Sequence, residues 1–225
     1  MKSLIITGAG SGLGKALALL YAKQGFHIIL IGRTLDKLKR VEKEIRENGG
    51  SAQSFSVDVT KPDEIRPFIQ DAAENFSLFG LINNAGVGHF GPFEGLTQQE
   101  IHEMLDTNVL GSIYMSQAVL PYLKDQNEGL LMNIISTAGL KGKVNESVYV
   151  ASKFAVRGFT ESLQKELEDT NIEVKAVYMG GMDTPFWDES DHIKDKSRLR
   201  SPEAVAEIIL NSMDEDTIVI QSKGK

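Results

Sequence analysis

The sequence predicts an α/β protein built on a doubly wound, mostly parallel sheet of about seven strands with helices on both faces. Three observations carry that prediction. Short apolar runs of strand length alternate with longer segments of helical character, the order that places a parallel sheet between two helix layers. The apolar runs end repeatedly in Gly, Asn, Asp, Ser or Thr, residues that turn a chain. The first such junction is glycine-rich and opens directly into a helical segment.

Leu4 to Ile6 is the first strand, ending at Thr7, and Gly8-Ala9-Gly10-Ser11-Gly12-Leu13-Gly14 follows. Lys15 to Gln24 consists of good helix formers and closes at Gly25, a C-terminal capping glycine. A strand, a glycine turn and a helix in this order let backbone approach a pyrophosphate, with the helix N-terminus facing the negative charge. Phe26 to Ile31 is a second buried strand leading into Gly32-Arg33-Thr34. Leu35, Leu38, Val41 and Ile45 recur at helical spacing and predict an amphipathic helix to Asn48. Ser54 to Val57 is a third strand delivering Asp58-Val59-Thr60, and Pro62 to Asn75 a helix with proline in its first turn. Phe79 to Ile82 is the fourth strand and runs into Asn83-Asn84-Ala85-Gly86.

Beyond a glycine-rich loop, Thr97 to Asp125 is a long helical region broken near Asn108 and Gly111, with Thr97 and Glu100 spaced as a capping box. Leu130 to Ile135 is the fifth strand and ends at Ser136. The next helix carries Tyr149 and Lys153 and runs to about Asp169. Ile172 to Tyr178 is the sixth strand, ending in Met179-Gly180-Gly181-Met182-Asp183-Thr184-Pro185. Phe186 to Leu199 lacks periodicity, Ser201 to Met213 is a last helix, and Thr217 to Ile220 a closing strand. The reading is a single domain over residues 1–225, with a short substrate lid at about 185–200.

Composition narrows the function. A net charge of −7 gives no basic excess to neutralise phosphates, which argues against a nucleic-acid partner. There is no cysteine, so thiolate nucleophiles, disulfides and Cys-based metal sites are excluded. Four scattered histidines make no metal case, and His89 reads as a solvated loop residue. Glycine interrupts the first apolar run too soon for a signal peptide, and no run is long enough to span a bilayer. A cytoplasmic protein with no membrane partner is the expectation.

The candidate chemistry lies in Ser147 to Phe159, read SVYVASKFAVRGF. Residues four apart share a helix face, so Tyr149 and Lys153 stand together. A phenol ordinarily titrates near 10; a neighbouring ammonium favours the phenolate and brings it towards acid/base work. Of the five tyrosines, only Tyr149 has a lysine four residues on.

Taken in order, these motifs resemble the short-chain dehydrogenase/reductase family, a single-domain, three-layer Rossmann oxidoreductase. The likeness runs from Ser3 to about Thr184 and more loosely to the end. The segment Gly8, Gly10, Ser11, Gly12, Leu13 and Gly14 resembles the family's cofactor turn. Asp58, with Val59 beside it, resembles the carboxylate that receives the adenine amino group. Asn83 with Asn84, Ala85 and Gly86 resembles the segment that stabilises the sheet and passes behind the nicotinamide ribose. Asn108, Ser136, Tyr149 and Lys153 match the catalytic four. Where the family has Pro-Gly after the sixth strand this chain has Met179-Gly180, leaving Gly180 and Thr184 to contact the cofactor. The resemblance implies hydride transfer between a nicotinamide and a carbonyl or secondary alcohol. Ser136 would hydrogen-bond the substrate oxygen and Tyr149 would exchange its proton. Lys153 would hold the ribose and depress the Tyr149 pKa, and Asn108 would help hold a water. The rival reading is a catalytically idle NADP(H)-binding regulator or sensor of the same fold, which would be expected to lose Tyr149 or Lys153.

NADP(H) is the expected cofactor, and NAD(H) the lesser alternative. Gly32 occupies the place where an acidic residue binds the ribose 2′-hydroxyl in NAD enzymes. Arg33 follows with a planar fork suited to a 2′-phosphate, with Thr34, Ser11 and Lys37 near in sequence. Asp58 also suits a turn, and Phe90, Phe93, Phe186 and Trp187 suit either core or pocket lining. Val109 to Leu120 and Phe154 to Leu163 carry apolar residues beyond one inward stripe, including Met115, Val119 and Phe159. In the family the corresponding helices pair across a twofold axis, so a homodimer or homotetramer is expected.

Overall fold

The computed structural model describes residues 1–187 and 196–222. Its elements are β1 (Lys2–Thr7), α1 (Gly12–Lys23), β2 (His27–Gly32), α2 (Leu35–Glu47), β3 (Ser51–Ser56), α3 (Pro62–Asn75) and β4 (Ser77–Asn83). There follow α4 (Gln98–Met104), α5 (Gly111–Gln126), β5 (Gly129–Ile134), α6 (Ser147–Glu166), β6 (Ile172–Met179), α7 (Pro202–Asn211) and β7 (Thr217–Ile220). The seven strands form one sheet in the order β3-β2-β1-β4-β5-β6-β7. Every pairing in it is parallel. The lid expected at about 185–200 falls partly on residues 188–195, outside the described residues.

Continuous apolar strands follow from burial on both faces. In β2, Ile28 and Leu30 point into a core shared with α1, α2 and α7, through Leu17, Val41 and Ile209. Ile29 and Ile31 point the other way, into a core shared with α3, α5 and α6 through Ile65, Met115 and Leu163. Each fully buried Ile or Leu of this kind contributes about 1.5–3 kcal/mol. The helix stripes are nearly as read: Leu38, Val41 and Ile45 are buried, but Leu35, in the first turn of α2, is exposed. Met115 and Val119 are fully buried in this protomer, so they are core residues and not surface for a partner. Leu105, Leu110 and Phe154 are the exposed apolar residues of that region.

A buried polar ladder crosses the sheet. Asn83 Nδ2 donates to Ser116 Oγ at 2.9 Å and to Asn133 Oδ1 at 2.9 Å. Asn133 Nδ2 donates to Thr160 Oγ1 at 2.9 Å, whose own proton goes to Val156 O at 2.7 Å. These bonds tie β4 and β5 to α5 and α6, the elements that carry the site. Parallel strands aim their C-terminal ends at one edge, and order reverses at β1, which has β2 on one side and β4 on the other. That switch point is where such sheets open a crevice.

Candidate active site

The crevice is a cavity of about 370 Å³. One end is the glycine turn. Gly12 has φ +52, and Thr184 Cγ2 stands 3.2 Å from where its Cβ would be. A Cβ on Gly14 would lie 2.4 Å from Gly8 O, so only glycine lets the helix pack on the strand there. Ser11 makes no side-chain cap, and the first turn of α1 holds no acidic residue. The leading amides of α1 therefore face the cavity as donors, the arrangement that receives an anion. Thr7 Oγ1 accepts from the amides of Asn84 and Ala85 at 3.0 Å each, and Asn84 Nδ2 donates to Thr7 O at 2.9 Å. The Asn84-Ala85-Gly86 segment is thereby fixed as the back wall. This cradle fits a dinucleotide pyrophosphate.

The other end gathers the residues with acid/base chemistry. Ser136, at the end of β5, has φ +147, a value an L residue rarely adopts. Its Oγ accepts from Ala138 N at 3.1 Å and lines the cavity together with the Tyr149 phenol. Tyr149 and Lys153 are both buried on the inner face of α6. The Lys153 Nζ donates to Ile134 O at 3.3 Å and lies 5.7 Å from the centre of the Tyr149 ring.

Electrostatics depart from the sequence expectation. Burial pushes the Tyr149 phenol well above its ordinary value, partly offset by the Ser136 hydroxyl and reinforced by the negative charge of Glu146. Burial also pushes the Lys153 ammonium down to about 8. Helical spacing predicts a depressed phenol, but desolvation of both groups outweighs their mutual attraction in the protein without ligand.

Asn108 sits in a π-helical turn, Leu105–Leu110, which is the break expected between the two helices. Its Oδ1 accepts from Val87 N at 2.8 Å, while Nδ2 donates to Val87 O at 2.9 Å and Ser152 Oγ at 3.0 Å. Those polar atoms are engaged by protein, clamping the segment after Gly86 to α6 rather than reaching into solvent.

The cavity brings together Gly8, Ser11, Gly12, Leu13, Asn84, Ala85, Gly86, Ser136, Tyr149, Lys153, Gly180 and Thr184. Gly10 and Gly14 lie behind it, Gly10 against the Lys37 stem and Gly14 against the backbone of Gly8. Arg33 and Thr34 are exposed just past the end of β2, outside the enclosed volume. Asp58 Oδ1 accepts from Thr60 N at 3.0 Å and Thr60 Oγ1 at 2.9 Å, the turn role it also suited. Val59 packs on Gly111, where a Cβ would be 2.8 Å from Val59 Cγ2. At the Met179-Gly180 departure, Gly180 N donates to Ile220 O at 2.7 Å, and a Cβ on Gly180 would meet Ser222 at 2.6 Å.

Several functional neighbours escaped the sequence reading. Ile134, Lys143 and Glu146 all line the cavity, as does Lys37, which the reading of Arg33 already places nearby. Lys143 and Glu146 lie between Ser136 and Tyr149, and a loop pinned at both ends by site residues has to pass close to the site. Phe186 and Trp187 line the cavity, Phe90 packs on them and on Tyr149, and Phe93 is exposed. His89 is no free loop histidine: Nε2 meets Glu103 Oε2 at 2.8 Å and Nδ1 lies 3.6 Å from Glu100 Oε1. Among the described residues, no cluster of His, Asp and Glu could hold a metal ion, and no helix is long and apolar enough to cross a membrane.

Comparison with known proteins agrees with this geometry. The family model for short chain dehydrogenases matches residues 2–195. An uncharacterized oxidoreductase of Staphylococcus saprophyticus is 34% identical over 220 residues, covering 96% of this chain and 86% of its own. One of Bacillus subtilis is 33% identical over 217 residues, covering 92% of this chain; the chain spans only 61% of that relative's length. Among solved structures, an alcohol dehydrogenase from Thermococcus sibiricus complexed with 5-hydroxy-NADP superposes with TM-score 0.88 at 28% identity, covering 98% of this chain and 95% of that one. A short-chain dehydrogenase/reductase from Burkholderia phymatum in complex with NAD gives TM-score 0.88 at 25% identity, covering 98% and 88%.

Proposed function

The chain belongs to the short-chain dehydrogenase family, and on that premise we propose that it is an NADP(H)-dependent carbonyl reductase or alcohol dehydrogenase with Tyr149 as general acid and base. The observation that carries this reading is the gathering of Ser136, Tyr149 and buried Lys153 at one end of a cavity whose other end is the open N-terminus of α1. A bound nicotinamide supplies the hydride. Ser136 holds the substrate oxygen, and Tyr149 donates the proton that neutralises it when hydride reaches the carbonyl carbon. In oxidation the phenolate takes that proton back. Lys153 holds the ribose hydroxyls, and Asn108 holds the wall formed by Gly86 and Val87.

Preference for NADP(H) rests on Gly32, Arg33 and Thr34, joined by Lys37 at the cavity edge. The two solved relatives, one with an NADP derivative and one with NAD, show that this fold takes either, so the side chains after β2 have to decide. A single domain carries both cofactor and substrate sites in this reading.

The test is a panel of ketones, aldehydes and secondary alcohols followed by NADPH absorbance, with Tyr149→Phe alongside. The variant should fold and bind cofactor while turnover falls on the order of 10²-fold or more. Near-normal turnover in Tyr149→Phe would sink the assignment. Tight cofactor binding with no turnover of any substrate would favour the idle regulator.

A further inference from the structure

Beyond Gly86 the chain passes through Val87-Gly88-His89-Phe90-Gly91 on its way from the cofactor wall towards α4. Asn108 holds Val87 through both its N–H and its carbonyl. Gly91 N donates to Asn145 O at 2.9 Å, in the loop that precedes α6. Between these ends, His89 is the one residue of the five whose side chain can hydrogen-bond, and α4 receives it. Its Nε2 meets Glu103 Oε2 at 2.8 Å, a hydrogen-bond length. Its Nδ1 faces Glu100 Oε1 at 3.6 Å, while the other oxygen of Glu100 accepts from Thr97 N and Oγ1 at 2.8 Å each and so caps α4. The backbone is held to the same helix: His89 N donates to Sδ of fully buried Met104 at 3.4 Å.

From this arrangement we propose that His89 is a positioning residue for the substrate end of the cavity, acting through Phe90. The proposal rests on the reductase reading and names what keeps its substrate end in shape. Phe90 follows His89 directly in the chain, so the bond from His89 to α4 sets where the Phe90 ring points. That ring stacks on Trp187 with centres 5.1 Å apart and meets Phe186 and Tyr149 edge-on at 5.9 and 5.4 Å. Tyr149, Phe186 and Trp187 line the cavity, and Phe90 backs them. The loop is closely fitted to these rings: a Cβ on Gly88 would lie 2.6 Å from Phe90 Cζ and 2.7 Å from Phe186 Cζ. A shift at His89 therefore moves the wall. The Glu103 side chain is 42% exposed, so its bond to His89 adds little to the stability of the fold. Its consequence is shape. A substrate leans on this wall in ground state and transition state alike, so losing the anchor raises KM and leaves kcat in place.

Trp187 is the only tryptophan in the chain, so its emission reports the ring cluster without turnover. His89→Ala should raise KM for the best ketone about 5-fold, with kcat and NADPH affinity within about 2-fold of wild type. Trp187 emission should move to longer wavelength in the same variant as water reaches the indole. Glu103→Ala should do the same, and the double variant should be no worse than either single one, because both remove one bond. Glu103→Gln keeps an oxygen acceptor and should recover most of what Glu103→Ala loses. An unchanged KM in His89→Ala overturns the proposal, as does additive loss in the double variant. A fall in kcat with KM intact also overturns it, since that marks a merely structural role. Should His89→Ala fail to fold, Glu103→Ala and Glu103→Gln carry the same test from the half-exposed partner. Absence of turnover with any ketone overturns the reductase reading, while Trp187 emission in the four variants still decides whether His89 and Glu103 hold the rings.

Discussion

Replacing Lys153 with methionine should make the protein more stable and inactive. The ammonium is almost completely buried, and burial alone lowers it from 10.5 to about 8. At about 1.4 kcal/mol for each factor of ten, keeping it charged at pH 7 costs the fold roughly 3 kcal/mol. Lys153→Met preserves the length of the stem and removes the charge, at the loss of one long hydrogen bond to Ile134 O, worth about 1 kcal/mol. The net gain is about 2 kcal/mol, or roughly 4–8 °C in Tm for a domain of this size. The pH dependence supplies the sharper check. Between about 8 and 10.5 the lysine is neutral in the folded protein and still protonated in the unfolded chain. The unfolded state then binds more protons, and wild-type stability should rise with pH relative to the variant. The lysine contribution to the gap should shrink from roughly 3 kcal/mol at pH 7 to roughly 1 kcal/mol at pH 10. Above 10 the raised phenols of Tyr149 and Tyr21 act in the opposite sense, so the comparison belongs at pH 7 to 10. Denaturant melts of ligand-free wild type and variant, paired with NADPH turnover, measure both arms. A variant less stable than wild type at pH 7, or a gap that does not narrow, refutes the reasoning.

Two further outcomes are expected. Arg33→Ala should weaken NADPH by about 10-fold or more with little effect on NADH, and Gly32→Asp should shift preference towards NADH; equal affinities in wild type and equal losses in Arg33→Ala would refute that assignment. Light scattering should give at least twice the 24.7 kDa protomer mass, since Leu105, Leu110 and Phe154 leave apolar surface exposed around α5 and α6; a monomer at micromolar concentration would count against it.

The fold was legible because the central strands of a parallel sheet are buried on both faces and leave apolar runs. Edge strand β3, SAQSFS with alternate residues buried, instead begins at Ser51 and not at the expected Ser54, and ends before Val57. The two ends of the site were legible for a different reason. Gly12 and Gly14 are required by backbone geometry, and Tyr149 and Lys153 share a helix face at fixed spacing, so both signals are local. What stayed hidden depends on contacts across the chain. Nothing in the sequence around Asn133 or Thr160 announces that they complete a ladder begun at Asn83. His89 reads as solvated until α4 brings Glu100 and Glu103 to it. Met115 and Val119 look like spare apolar surface until the packing of α5 turns them inward. The sign of the Tyr149 shift was missed for the same reason, since helical spacing reports the neighbouring charge and says nothing of how much water both groups lose.

That loss of water ties the site to its scaffold. Ser136 holds a strained backbone angle, Lys153 holds a charge that burial disfavours, and Tyr149 holds a proton more tightly than free phenol does. Each feature opposes folding or resists ionisation, and each gathers where β5 and α6 meet. Strand β5 is buried along its whole length, and the Asn83–Asn133–Thr160 ladder fixes the same two elements from within. A rigid neighbourhood is the condition under which such unfavourable states persist. Substitutions in the ladder and substitutions at the site should therefore differ in kind. Losing a ladder bond leaves a buried polar partner unsatisfied and destabilises the fold, whereas neutralising Lys153 relieves it.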